Sequence, residues 1–459
     1  MSEWKKVKID FDTIKLGNFI EPIKTTVLEL GDKNPIVYGV TNKEGIVQTG
    51  KPASKDISNY IALEDDCFAF NPYRVNVGSI GINDKKLKGC VSPAYVVFRT
   101  KNGLLPKFLY FYLKSDYGIH LINWYGNRGG VRNALRYSDL CNIDIPNINH
   151  LDQQKILEKF ISVSDKIDEI SKEIESHKNY IKQLRQNILQ EAIEGKLTAD
   201  WRKKNPVQKG NPDYDAKALF EQIQKEKKYL LATKELKKGN LPKAIRSNKD
   251  LLKYPDSWKW ARIDDLFFVT KLAGFEFTQY FHLTESGDIP VVRAQNVRDL
   301  TLNKSNLLYI DSKTSELLER SALTKPSLLV TFIGAGIGDV GIFEEKERWH
   351  LAPNVAKLEP LKNCEKLISI KLVALFMLSS FGQKEIFKYM KATAQPSLSM
   401  ESIRDICFPL PPLAEQNEIV TRVENHLQTV SDLENQITKR EQLTKQLMQS
   451  ILKDAFEGK

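Results

Sequence analysis

The sequence is poor in cysteine and histidine. Its 459 residues include five cysteines and six histidines. No two cysteines form a CxxC pair, and no two histidines form an HExxH motif. The spacing therefore predicts neither a disulfide framework nor a zinc site.

Long apolar runs are also missing. The most apolar window, Leu367–Leu378, is short and contains Lys371. Spanning a bilayer takes roughly 20 apolar residues. Residues 1–15 alternate charged and apolar side chains and lack the apolar centre of a signal peptide. We therefore expect a cytoplasmic protein that does not bind a membrane.

Catalytic motifs are scarce. No P-loop of the form GxxxxGK[ST] is present, so ATP-driven translocation is not predicted. The (D/N)PP(Y/F) motif of amino-methylating DNA enzymes has only two near misses, Asn211–Tyr214 and Asn71–Tyr73. Gly336–Gly341 satisfies GxGxxG, but no helical apolar period follows it, which favours a glycine-rich turn over a dinucleotide site. We expect no catalytic residue, metal or cofactor on this chain.

The composition suits a multidomain protein with an anionic partner. Hydrophobic residues make up 41% and charged residues 27%, enough apolar material for several cores. The formal net charge is +10. A basic balance favours nucleic acid or another anionic partner.

The chain contains an internal repeat. Gln186–Lys196 recurs as Gln449–Lys459, with seven of eleven positions identical. Gly78–Ile82 recurs in the same order as Gly338–Ile342. Several blocks repeated in order predict two copies of one unit, each a globular block followed by a long helix.

Apolar residues in the two helical segments are spaced alternately by four and three. The first series runs from Ile156 to Ile188 and the second from Ile419 to Ile451. This heptad pattern predicts a coiled coil, and two such helices in one chain can pair antiparallel about a pseudo-twofold axis. The globular blocks alternate short β-like runs with Gly, Asn and Pro. We expect an α+β fold with small, twisted, mainly antiparallel sheets.

The expected order has five parts. They are a first globular domain (1–145), a first helix (146–200), a basic linker with a short helix (201–257), a second globular domain (258–408) and a second helix (409–459). Residues 201–250 hold 14 Lys and Arg against 6 Asp and Glu. This charge fits either a solvated linker or a clamp on phosphate groups.

Polar loops in both globular domains are candidates for reading DNA. Arg can bind guanine with two hydrogen bonds, and Asn or Gln can bind adenine in the same way, whereas Lys contacts phosphates. An ordinary polar loop would have a similar composition. The candidate residues are Lys85, Lys86, Lys88, Arg128, Arg132, Asn133, Arg136, Arg293, Gln295, Asn296, Arg298 and Gln395.

Several segments resemble the specificity subunits of type I restriction–modification systems. The main one is Phe408–Ile419, with the sequence FPLPPLAEQNEI, and Ile145–Ile156 is its weaker copy. Further support comes from Leu189–Arg202, Trp258–Trp260, Ser92–Phe98 and Thr393–Leu398.

This resemblance implies a non-catalytic reader of double-stranded DNA. Each globular block would be a target-recognition domain for one half of a bipartite, asymmetric site. The long helices would set the half-site spacing and dock two methyltransferase subunits, which restriction subunits would join. S-adenosylmethionine, ATP and Mg²⁺ would belong to those partners. Inserting four residues around 192–199 should then change the preferred spacing.

Two other interpretations remain open. The chain could be a coiled-coil scaffold whose end domains bind proteins, in which case its DNA affinity would be weak. It could also be a self-contained DNA methyltransferase, which would require the amino-methylating motif and cofactor loop that the sequence lacks.

Overall fold

The computed structural model describes residues 12–31, 35–49, 56–126, 134–236, 254–334, 336–388, 390 and 397–457. The chain forms two compact units. Unit 1 comprises Met1–His177 with Gln436–Lys459, and unit 2 comprises Lys178–Asn435. Each unit holds one sheet-containing block and part of both long helices, so the expected α+β class is confirmed.

The first block is built from short strands and helices. Its four-stranded sheets have the orders β2-β9-β6-β7 and β4-β3-β8-β5, and β1 pairs with β10. All pairs are antiparallel except β3 with β8. The strands are β1 (Thr13–Lys15), β2 (Ile20–Pro22), β3 (Val37–Thr41), β4 (Gly45–Gln48), β5 (Ile61–Ala62), β6 (Phe68–Phe70), β7 (Ile80–Ile82), β8 (Cys90–Val91), β9 (Val96–Thr100) and β10 (Asp144–Pro146). The helices are α1 (Val27–Leu30), α2 (Pro106–Lys114), α3 (Asp116–Gly126) and α4 (Tyr137–Leu140).

The core of the first block is aromatic. Phe68 and Phe98 face each other on paired strands and stack with ring centroids 4.7 Å apart. Phe70 meets Phe98 edge-on at 6.2 Å. Large rings with offset or edge contacts supply much buried area from few residues, which suits strands only three to five residues long.

Three helices follow the first block. They are α5 (His150–Ile193), α6 (Ala199–Lys204) and α7 (Ala216–Ala232). Helix α7 lies in the basic linker, where a short helix is expected. It packs on the second block through buried Leu219, Ile223 and Leu230. The Lys227 ammonium donates to the carbonyl and carboxylate oxygens of Asp264, at 2.6 and 3.0 Å. This part of the linker is therefore not simply solvated. Residues 237–253, with much of its remaining charge, lie outside the described residues.

The second block repeats the strand order of the first. Its sheets have the orders β12-β21-β18-β19 and β16-β13-β20-β17, and β11 pairs with β22. The strands are β11 (Lys259–Arg262), β12 (Phe267–Lys271), β13 (Ile289–Val292), β14 (Val297–Arg298), β15 (Thr301–Leu302), β16 (Leu308–Ile310), β17 (Ala322–Leu323), β18 (Ser327–Thr331), β19 (Val340–Phe343), β20 (Trp349–Leu351), β21 (Val355–Pro360) and β22 (Cys407–Leu410). The helices are α8 (Ile263–Leu266), α9 (Gly274–Tyr280), α10 (Ser312–Leu317), α11 (Ile370–Leu378), α12 (Ser380–Phe387) and α13 (Met400–Arg404).

The repeat extends to single parallel pairs and helix junctions. β13 with β20 is parallel, as β3 with β8 is in the first block. The Ser115 hydroxyl accepts a hydrogen bond from the Gly118 amide at 3.0 Å, and Ser379 does the same for Gly382. A Cβ atom on either glycine would overlap a backbone carbonyl of the preceding helix. The internal repeat predicted from the sequence is therefore confirmed in the fold.

The second long helix is α14 (Leu413–Glu457). In α5 every seventh residue from Phe160 to Ile188 is buried, and Val423, Val430 and Thr444 continue the same period in α14. Within unit 2, Arg185 pairs with Glu434 at 3.1 Å, and the Arg422 guanidinium donates to the Leu197 carbonyl at 2.8 Å. From the first contact to the second, the residue number rises from 185 to 197 on one side and falls from 434 to 422 on the other. The two long helices therefore run antiparallel, as predicted.

Candidate nucleic-acid interface

The loop between β7 and β8 presents three of the candidate lysines. Asn83 is fully buried, and its amide donates to the carbonyls of Glu64 and Leu87, at 2.9 and 3.0 Å. Its carbonyl oxygen accepts from the Leu87 amide at 2.8 Å. These bonds fix a tight turn whose outer residues, Lys85 and Lys86, are exposed.

Lys88 closes the same loop. Its ammonium lies 2.9 Å from the Asp65 carboxylate, and both side chains are largely exposed. A surface ion pair of this kind contributes about 0–1 kcal/mol, so it does not prevent Lys88 from moving to a phosphate. All three lysines are placed where a polyanion could reach them.

Arg136 lies on a different part of the first block. It is exposed at the start of α4, where its backbone amide donates to Asp139 at 3.2 Å. The preceding Leu135 amide donates to the Pro72 carbonyl at 3.0 Å, which ties this segment to the turn that leads toward β7. Among the described residues, no hydrogen bond or ion pair joins Arg136 to the lysine loop. The candidates Arg128, Arg132 and Asn133 lie outside the described residues.

In the second block, the stretch from Arg293 to Arg298 is divided between surface and interior. Gln295 is exposed. Asn296 is buried. Its side-chain amide donates to the Asn303 and Ser305 carbonyls, and its side-chain oxygen accepts from the Arg293 backbone amide at 3.0 Å. The geometry thus gives Asn296 a role in shaping the loop that carries its neighbours. The Arg293 guanidinium is half-buried and donates to the Asn306 carbonyl.

Arg298 points to the glycine-rich segment. Its guanidinium pairs with Asp339 and also donates to the Val297 carbonyl at 2.8 Å. Burial raises the pKa of Asp339 even though the Arg298 charge opposes that shift. The segment itself joins antiparallel β18 and β19, and Gly338 adopts φ +88°. The predicted glycine-rich turn is therefore confirmed, and no helix follows it as a dinucleotide site would require.

The segment after α12 approaches this turn. Ile333 forms a β-bridge with Ser397, and the Leu398 amide donates to the Phe332 carbonyl at 3.0 Å. Gln395, two residues before Ser397, lies outside the described residues. The second block thus brings Arg298 and the 397–398 segment to the same turn, which sequence distance alone did not indicate.

Corresponding loops of the two blocks carry opposite charge. Residues 84–88 follow β7 and contain three lysines and one aspartate. Residues 344–348 follow β19, which occupies the same place in its sheet, and contain three glutamates, one lysine and one arginine. The shared fold therefore carries two different surfaces.

The near miss to the amino-methylating motif at Asn211–Tyr214 has a structural role. Tyr214 stacks on Trp201 with ring centroids 6.2 Å apart. The carbonyls of Pro212 and Asp213 accept the amides of Leu413 and Ala414, both at 3.1 Å, at the start of α14. These bonds satisfy donors that a helix N-terminus leaves free. The described residues include no group of three or more His, Cys, Asp or Glu side chains able to hold a metal, and no helix there is long and apolar enough for a membrane.

Sequence reasoning missed a buried cluster around Glu415. This side chain is fully buried in the first turn of α14. Its carboxylate accepts from the Thr198 hydroxyl at 2.7 Å, the Arg202 guanidinium at 2.5 Å and the Trp258 indole at 2.8 Å. We call these four residues the Glu415 cluster. All four residues lie in the segments that carry the family resemblance, so the sequence did mark them. It did not indicate that these segments meet in the fold.

The neighbouring glutamine is used identically in both halves. Gln416 accepts from the Ser369 amide at 2.9 Å and donates to the Pro411 carbonyl at 3.1 Å. Gln153 accepts from the Leu105 amide and donates to the Ile148 carbonyl, both at 2.9 Å. Each glutamine joins the start of a long helix to the start of a helix in its own block, α11 for Gln416 and α2 for Gln153.

Comparison with known proteins agrees with this architecture. Residues 255–444 match the family described as the type I restriction modification DNA specificity domain. The chain is 25% identical over 309 residues to the EcoBI specificity subunit of Escherichia coli, covering 67% of this chain and 56% of that protein. It is 24% identical over 461 residues to the EcoKI specificity subunit of Escherichia coli (strain K12), covering 97% and 85%.

A solved structure extends the likeness over the whole fold. A chain from a structure concerned with complex assembly and conformational transition of the type I R-M system has a TM-score of 0.67 and 14% identity, and the match covers 99% of both chains. Together the comparisons show that this chain is similar to type I restriction–modification specificity subunits, which confirms the resemblance seen in the sequence.

Proposed function

We propose that this chain is the DNA-reading, non-catalytic subunit of a type I restriction–modification complex, with one globular block for each half of a bipartite, asymmetric site. The observation that carries the proposal is the duplicated strand order with different loop chemistry. One fold used twice provides two similar platforms. Loops of unequal charge and sequence would give those platforms different targets.

The exposed candidates divide between two kinds of contact. Lys85, Lys86 and Lys88 would neutralise phosphates and supply affinity that falls with salt. Arg136 and Gln295 are exposed side chains able to bind base edges. Arg298 would first have to leave Asp339, whereas Asn296 would act by holding the loop.

The antiparallel helices would set the distance between half-sites. α5 has 44 residues, which corresponds to about 66 Å at about 1.5 Å per residue. Exposed apolar side chains along the pair, such as Leu184, Leu433 and Leu447, offer surface for methyltransferase subunits. Restriction subunits would join that assembly, and S-adenosylmethionine, ATP and Mg²⁺ would be bound by those partners.

The test is methylome sequencing of a host that carries this chain with its cognate modification subunits, compared with a host that lacks this chain alone. Loss of methylation at one gapped, bipartite motif is the expected result. No change at any motif would refute the proposal. In that case pull-down from the same host would test the scaffold interpretation.

A further inference from the structure

The Glu415 cluster connects three segments that are far apart in sequence. Thr198 and Arg202 follow the end of α5, Glu415 opens α14, and Trp258 precedes β11. All of them belong to unit 2. The cluster therefore fixes the second block on the helix pair at the point where one long helix ends and the other begins.

Further contacts surround the Glu415 cluster. The second guanidinium nitrogen of Arg202 donates to the Gly195 carbonyl at 2.5 Å, and the guanidinium lies 5.9 Å from the centre of the Trp258 ring. Gly195 adopts φ +69°, with its α-carbon against Pro255. Arg422, two turns into α14, reaches back to Asp200 at 2.6 Å. Within this connection Glu415, Thr198 and Trp258 are buried and shielded from water.

The first block has no such cluster among its described residues. Asp152 occupies the position that corresponds to Glu415, next to the matching glutamine. Its carboxylate binds Asn149 at 2.8 Å and Lys155 at 3.2 Å, both within the same turn of chain. These are local contacts at an exposed site, and they do not join separate segments.

We infer that Glu415 is a positioning residue that makes the subunit selective for one spacer length between the half-sites. This inference rests on the proposed function. One added base pair shifts a half-site by about 3.4 Å along the DNA and rotates it by about 35°. To follow that shift, the second block would have to move against α14, and the Glu415 cluster opposes the movement.

The test uses the full chain in complex with its modification subunits. Once the wild-type motif is known, methylation is measured on DNAs whose spacer is one base pair shorter, equal or one base pair longer. Glu415→Gln places an NH₂ donor where Thr198, Arg202 and Trp258 all donate to the carboxylate. We expect the preference for the cognate spacer to fall at least tenfold, with half-site preference unchanged. Trp258→Phe, which removes one donor, should cause a smaller fall.

Asp152→Asn is the matched control and should keep the wild-type spacer profile. Equal loss of methylation at all three spacers in both cluster variants would mean a merely structural role and would overturn the inference. An unchanged profile in Trp258→Phe and Glu415→Gln would overturn it too, as would an equal effect of Asp152→Asn. Absence of any bipartite motif with the wild-type chain would instead refute the proposed function.

Discussion

Replacing Gln416 by methionine tests whether the duplicated glutamines stabilise the fold. Methionine has nearly the same length and shape but forms no comparable hydrogen bond. Gln416 is fully buried, so the substitution leaves the Ser369 amide and the Pro411 carbonyl without their partner. Each unsatisfied buried group costs about 1–3 kcal/mol.

Because two groups lose their partner, the expected loss in free energy of unfolding is about 2–6 kcal/mol for Gln416→Met. Gln153→Met should cost less, about 1–3 kcal/mol, because its carbonyl partner Ile148 is half-buried whereas Pro411 is buried, so water can replace part of the lost bonding. The two substitutions are chemically identical, so the difference between their losses in free energy of unfolding measures the effect of burial.

Equilibrium urea unfolding of the full chain would measure the effect. Tryptophan fluorescence suits unit 2, because it holds Trp201, Trp258, Trp260 and Trp349 of the six tryptophans. Gln436→Met, an exposed position on α14, is the control and should stay within about 0.5 kcal/mol of wild type. A similarly small change for Gln416→Met would refute the reasoning.

Three further predictions concern other parts of the chain. Gly118→Ala and Gly382→Ala should each lower stability by about 1–3 kcal/mol or more in thermal unfolding, because the added methyl group meets a backbone carbonyl. Burial lowers the pKa of His350, so at a pH below the ordinary pKa of histidine the unfolded chain binds more protons than the folded chain. The free energy of unfolding should therefore keep its full value above about pH 6.5 and decrease as the pH falls below it. His350→Leu should flatten this pH dependence in urea unfolding. The double variant Lys85→Ala, Lys86→Ala should reduce the slope of log affinity for DNA against log salt by about 1–2 and leave sequence preference intact.

Each of these predictions has a clear contrary result. Gly274, like Gly118 and Gly382, lacks a positive φ but has open space around its α-carbon, so an equal loss in Gly274→Ala would mean that overlap does not explain the effect. His282→Gln, at an exposed histidine, is the control for pH, and a slope in His350→Leu equal to wild type would contradict the burial argument. A change in sequence preference in the lysine double variant would assign base contacts to that loop.

Features that repeat along the chain could be predicted from the sequence. The heptad pattern and the duplicated glycine turn each depend on neighbours within one element, and α5 and α14 form where the heptads predict them. Local periodicity determines which face of a helix is apolar, so these elements follow from it directly.

Side-chain partners between distant segments could not be predicted in the same way. Glu415 and Thr198 are 217 residues apart, and nothing local indicates that a charged residue in an amphipathic helix start is fully buried. Asn296 shows the opposite case. It stands in a polar stretch typical of a reading loop, yet the turn of backbone at 303–305 places two carbonyls at its amide and draws it inside. Whether a polar side chain faces solvent depends on backbone that the motif does not contain.

The comparison of the two blocks separates what the fold requires from what recognition requires. The glutamine of each helix start and the glycine of each helix junction are repeated with the same bonding, because the same backbone crossing demands them in both places. The loops after β7 and β19 are under no such demand, and their charges differ in sign. A basic loop beside DNA adds affinity for any sequence, whereas an acidic loop weakens it. Under the proposed function, the half-site bound by the first block should therefore tolerate base changes at less cost in total affinity than the half-site bound by the second, which has to gain more of its affinity from specific contacts.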